Sequence, residues 1–236
     1  MKKVLGILLP VVLVLALAGA GVWWFALRDD APDPAGLPDT TEQTTTTAEP
    51  GATTVAPSAD GPWILEPGDQ VFAGYRIQEQ FFGQIAERTT VGRSPGLLGT
   101  LTVVGAQVTQ AEVAVDMTQL RSDQARRDAQ MKTSGLQTDT FPTATFQLTQ
   151  PIDLPGPPQV GAVVEVLAAG QLTIHGVTNP FSLPLQVRWN GDTIDVAGAA
   201  AVLLADWGIT PPSVAGFVTV ADDAVFELQL QFVRRA

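Results

Sequence analysis

The chain has 236 residues, no cysteine, one histidine and a formal net charge of −11, from 24 acids against 13 bases. This excludes a disulfide framework, a thiol nucleophile, thiolate metal sites and multi-histidine zinc sites. It also argues against nucleic acid, which needs clustered Lys and Arg to displace counterions from phosphates. The length suits one sizeable domain, or two.

Met1-Lys2-Lys3 leads into an uncharged apolar run from Val4 to Leu27, closed by Arg28-Asp29-Asp30. As a helix this run spans roughly 36 Å, enough for a ~30 Å hydrocarbon core. Trp23, Trp24 and Phe25 stand where an interfacial aromatic belt belongs, and the lysines keep the N-terminus cytoplasmic. Ala16-Leu17-Ala18 and Ala18-Gly19-Ala20 are formal cleavage sites for a signal peptide, the competing reading. The apolar run continues past both, so residues 1–28 are read as an uncleaved signal-anchor helix, with the rest of the chain extracytoplasmic.

Residues 29–60 hold eight Thr, five Pro and seven acids without Lys or Arg. Such a segment cannot bury enough surface to offset its ordering entropy, which predicts a disordered stalk.

Residues 61–236 read as strands. Ala111, Val113, Val115 and Met117 alternate with polar or small neighbours, as do Ala144, Phe146 and Leu148. Longer alternations run through Phe181, Leu183, Leu185, Val187 and Trp189, and through Ala224, Phe226, Leu228, Leu230 and Phe232. Gly156-Pro157-Pro158, Asn190-Gly191-Asp192 and Asp222-Asp223 are read as turns between strands. The stretch Ser122–Ser134 breaks the pattern with good helix formers, a cap candidate in Ser122-Asp123 and a stop at Gly135. The prediction is all-β, a sandwich or a closed barrel, with one short helix.

Catalytic signals are weak. Gly92-Arg93-Ser94-Pro95-Gly96 has the form of a nucleophile elbow, but Pro95 has no N–H for an oxyanion hole, and a strand rather than a helix follows. Asp222-Asp223 and Asp192 with Asp195 are explained as turn residues. His175 stands at a strand end between Ile174 and Gly176.

Gly170-Gln-Leu-Thr-Ile-His-Gly-Val-Thr-Asn-Pro-Phe181 resembles the signature of the YceI-like family of lipid- or polyisoprenoid-binding domains. Phe141-Pro142-Thr143-Ala144-Thr145-Phe146, downstream of the helical Arg127-Asp128, is similar to another segment of that family. So is Asp206-Trp207-Gly208-Ile209, followed by Pro212-Ser213 and Phe217-Val218-Thr219-Val220. The chain departs from the family at Ala129-Gln130-Met131, at Leu136-Gln137 and at Leu203-Leu204-Ala205.

The resemblance implies an antiparallel eight-stranded lipocalin-like barrel over residues 61–236 that sheathes an isoprenoid or other long-chain lipid. The expected wall residues are then Val113, Val115, Phe146, Leu148, Leu172, Ile174, Phe181, Leu183, Leu185, Phe226, Leu228 and Leu230. Arg126, Arg127 and His175 are head-group candidates. The expected function is carriage or sequestration without catalysis, cofactor, metal or nucleic acid. The alternative is an envelope protein-interaction module whose interior is only a packed core.

Overall fold

The computed structural model describes residues 31–38, 58–81, 87–211 and 218–234. The expected membrane helix lies outside the described residues, and among those described no helix is long and apolar enough to cross a membrane.

Twelve strands form one antiparallel sheet, and in-line pairs of short strands reduce them to eight staves. β1 (Gly61–Leu65) and β2 (Phe72–Phe81) both pair with β12 (Val218–Arg234), at Leu65↔Phe232 and Phe72↔Gln229, and so form one stave. β3 (Glu87–Ser94) continues into β4 (Leu97–Val104) through a bend at Pro95-Gly96. β5 (Gln107–Asp116) continues into β6 (Arg121–Ser122) through a 3-10 turn at Met117–Gln119. β7 (Thr143–Leu148) and β8 (Ile152–Asp153) pair successively with β5. β9 (Val163–Ile174), β10 (Val177–Trp189), β11 (Thr193–Leu203) and β12 complete the round. The β1–β12 and β2–β12 ladders join the first stave to the last, so the sheet is a closed up-and-down barrel.

The alternating residues take the inner face of this wall, as the period of two requires. The interior holds two apolar clusters. One surrounds Trp63, Trp189, Ile194 and Phe232, and the other surrounds Leu172, Trp207, Ala224 and Ile77. Trp63 is fully buried, with its indole N–H donating to the carbonyl of the buried Ala59 at 2.9 Å. The β9–β10 turn places His175 (φ 53°) and Gly176 (φ 74°) both in the left-handed region, the geometry of a type I′ hairpin.

Helix α1 (Ala125–Thr133) covers one end of the barrel. Its cap differs from expectation. Gln124 holds the N-cap position and makes no side-chain cap bond, while Ser122 belongs to β6. Asp128 reaches back instead, accepting from the Ser122 N–H at 2.9 Å and hydroxyl at 2.7 Å.

Three further expectations change. Asp222-Asp223 is not a turn but a bulge within β12, where the register against β2 shifts between Val220 and Ala224. Asp195 is not a turn residue either. It is a strand residue, 2% exposed, paired with Arg188 at 3.0 Å and accepting from Asn190 and Gln231. Residues 31–38, expected within a disordered stalk, lie along the outer wall. Ala35 N–H donates to Glu227 at 3.1 Å and Gly36 N–H to Gln229 at 3.3 Å. The segment needs no core of its own because the barrel supplies partners.

Candidate functional site

Two apolar cavities lie end to end inside the barrel. The first, about 190 Å³, sits beneath α1, with Tyr75, Ile77, Met131, Leu136 and Ile209 in its wall. The second, about 320 Å³, reaches the opposite end, where Ala59, Ile152 and the 154–159 loop close in. Val113, Phe146, Leu183 and Leu228 line both and form a waist between them. From Val220 to Phe232 the inward residues of β12 wall the two cavities in succession. At ~3.3 Å per residue that is roughly 40 Å of strand, or about 30 Å along the axis of a barrel with strands tilted ~40°.

The expected wall residues converge on this interior. Val115, Leu172, Ile174, Phe181 and Phe226 line the first cavity, Leu185 and Leu230 the second, and Val113, Phe146, Leu183 and Leu228 the waist. Leu148 lines neither cavity. It ends β7, and Ile152, beyond the break before β8, takes the wall position. Phe181, Trp207 and Phe226 form a tilted and edge-on aromatic trio with centroids 6.0–6.5 Å apart.

One charged pair stands in the wall of the first cavity. Glu79 points inward from β2 at 7% exposure. Arg127 meets it from α1 with two hydrogen bonds, at 2.9 and 3.1 Å, and also pairs with Asp123. Burial alone would lower the Arg127 pKa, but hydrogen bonds and attraction from Glu79 and Asp123 outweigh it and hold the guanidinium protonated. Beside them the Tyr75 hydroxyl donates to the Met131 sulfur at 3.2 Å, and burial pushes its phenol pKa up. The Tyr75 ring lies over Gly92, where a side chain would collide with it.

Sequence reasoning found Arg127 but missed Glu79 and Tyr75. The signal was the inward phase of β2, Ala73-Tyr75-Ile77-Glu79, masked because its last member is an acid.

The other candidates lie elsewhere. Arg126 is exposed on α1 and lines neither cavity. His175 also lines neither. Its Nδ1 lies 3.2 Å from the Trp207 carbonyl oxygen, its ring packs on Phe141 at 4.4 Å, and its Nε2 is buried without a hydrogen-bond partner among the described residues. Ser94 is fully buried, its hydroxyl donating to the Asp116 carbonyl at 2.7 Å and accepting from Gly96 N–H. It ties the β3–β4 bend to β5. Among the described residues no group of three or more His, Asp or Glu is placed to hold a metal ion.

The fold has known relatives. A polyisoprenoid binding domain from Saccharophagus degradans, implicated in plant cell wall breakdown, superposes with a TM-score of 0.58 at 16% identity, covering 73% of this chain and 98% of that one. BcnA of Burkholderia cenocepacia matches with a TM-score of 0.51 at 17% identity, over 67% of this chain and 95% of that one. The YceI protein of Campylobacter jejuni matches at 0.50 and 14% identity, over 61% and 85%. No curated protein matches. These likenesses establish the barrel fold. The family model for the YceI-like domain covers residues 71–232, from the residue before β2 to Phe232 near the end of β12, and the chain belongs to the YceI-like family.

Proposed function

We propose that the chain is a membrane-tethered, extracytoplasmic barrel that holds a long apolar lipid, an isoprenoid first among them, for carriage or sequestration without covalent change. The observation that carries this is the pair of apolar cavities that lie end to end along the barrel and share Val113, Phe146, Leu183 and Leu228 as their common wall. Together they fall within the ~300–1,000 Å³ typical of small-molecule sites. Each methylene buried there contributes about 0.8 kcal/mol, so ten or more offset the entropy of association. The Saccharophagus polyisoprenoid binding domain, of the same fold, supports the choice of lipid. A packed core with function only on the outside fits two apolar cavities poorly.

The test is native mass spectrometry and organic extraction of the full chain purified in mild detergent. The expected result is one long-chain lipid per barrel, with isoprenoid enriched over the bulk phospholipid of the preparation. Recovery of detergent alone, with no rise in melting temperature on adding a C40-class prenol, would sink the reading.

A further inference from the structure

The outer face of β12 carries an unusual fixture. Glu227 takes the strand phase opposite to the inward Phe226 and Leu228, yet is 3% exposed. Arg76 clamps its carboxylate at 2.6 Å and Arg93 at 2.8 Å. Both arginines also donate to carbonyls of the docked segment, Arg76 to Pro32 and Arg93 to Asp33. Further along, Arg188 joins Asp195 to the Pro38 carbonyl in the same manner. Residues 31–38 read Ala-Pro-Asp-Pro-Ala-Gly-Leu-Pro. Prolines restrict φ and lack N–H groups, so an extended strap forms at low entropic cost and offers few donors. Two of those donors, on Ala35 and Gly36, are taken by Glu227 and Gln229.

The strap has a direction. Pro32 lies by Arg76, which is opposite Val225, and Pro38 lies by Arg188, which pairs with Asp195 opposite Gln231. The chain therefore arrives from the α1 end and runs toward the end where Ala59 and the 154–159 loop line the second cavity. Only residues 28–30 separate it from the apolar run that ends at Leu27. Three residues reach at most about 10 Å. From Val225 the α1 end at Val220 is roughly 13 Å along the barrel axis and the far end at Arg234 roughly 23 Å, at ~3.3 Å per residue and a ~40° tilt, so with the strap docked the α1 end lies nearer the anchor's exit.

We propose that the strap orients the barrel on its own membrane, α1 end toward the bilayer, so that the first cavity exchanges lipid with that bilayer directly. This rests on the anchored, lipid-binding reading above.

Because the chain has no cysteine, single labels can be placed at the exposed Lys132→Cys on α1 or the exposed Val160→Cys at the far end. The full chain is reconstituted in phosphatidylcholine vesicles carrying a head-group nitroxide quencher. Quenching is expected to be several-fold stronger at position 132 than at 160. A flexible fifteen-residue insert between Asp30 and Ala31 is expected to bring the two together. Equal quenching without the insert overturns the orientation. So does stronger quenching at 160, the result if the exposed Val104, Val160 and Val163 of the far end meet the bilayer. A chain that fails to float with the vesicles overturns the anchor and the orientation with it. Asymmetric quenching in a barrel that yields no lipid removes the lipid reading and leaves the orientation standing.

Discussion

Glu79 and Arg127 place a full ion pair in an otherwise apolar wall, with side chains 9% and 14% exposed. A buried pair gains little over apolar replacements, but removing one partner strands the other. Arg127→Met is therefore expected to cost about 3 kcal/mol, read as a lower urea midpoint at unchanged slope. Adding Glu79→Leu should restore most of the loss. If the double variant is as unstable as the single one, packing by the arginine stem rather than the stranded carboxylate is the cause. Asp116 behaves differently because its carboxylate hydrogen bonds lie at the surface. Hydrogen bonds from the Thr118 hydroxyl, the Gln119 amide and the Thr118 N–H hold its pKa below the usual carboxylate range. A depressed folded-state pKa contributes stability that is fully present above the unfolded value, about 3.9. That stability is lost as pH falls through the folded value. Asp116→Asn should lower the melting temperature at pH 7, and the gap from wild type should close as pH drops below about 4. A gap constant from pH 7 to pH 3 would show that the carboxylate's charge is not what matters.

At the scale of elements, what the sequence reveals depends on whether an element's two faces differ in chemistry. β5, β10 and the last half of β12 alternate cleanly because their inner faces meet an apolar interior while their outer faces carry mostly polar residues that meet water or polar partners. β2 does not, because Glu79 is inward while Phe72, on the outer face, lies under the Arg93 guanidinium at 3.8 Å. The bulge at Asp222-Asp223 has the composition of a turn, and only pairing with β2 shows it to be strand. The strap is the sharpest case. Composition shows that residues 31–38 cannot build a core, but it is silent on whether another surface will hold them. Ala35→Pro removes the N–H donated to Glu227 without touching the barrel. It is expected to leave the global melting temperature nearly unchanged, because local elements open independently of the core. Protease cleavage within residues 31–38 should become several-fold faster. A large fall in melting temperature would instead make the strap part of the cooperative fold.

For the whole molecule, barrel closure was expected from the family resemblance, and its apolar wall was legible in the period-two runs. Division of the interior into two chambers was not. It arises from Val113, Phe146, Leu183 and Leu228, which come from four staves and meet only once the sheet is closed. Their volume sets the balance between a filled core and a lipid sheath. Phe146→Ala should merge the chambers at a cost of about 3–5 kcal/mol to the empty barrel. Lipid at saturation should return part of this, since a ligand at 100 times its Kd stabilises by about 2.7 kcal/mol. Val113→Phe works in the opposite direction. The added ring occupies the waist, where filling a void commonly gives about 0.5–2 kcal/mol. The variant is expected to melt at or above wild type while retaining less long-chain lipid after purification. Melting curves with and without added prenol, alongside extraction, separate the two effects. If Val113→Phe destabilises the barrel and leaves lipid recovery intact, the waist is not on the path of the bound chain, and the two chambers hold separate ligands or none.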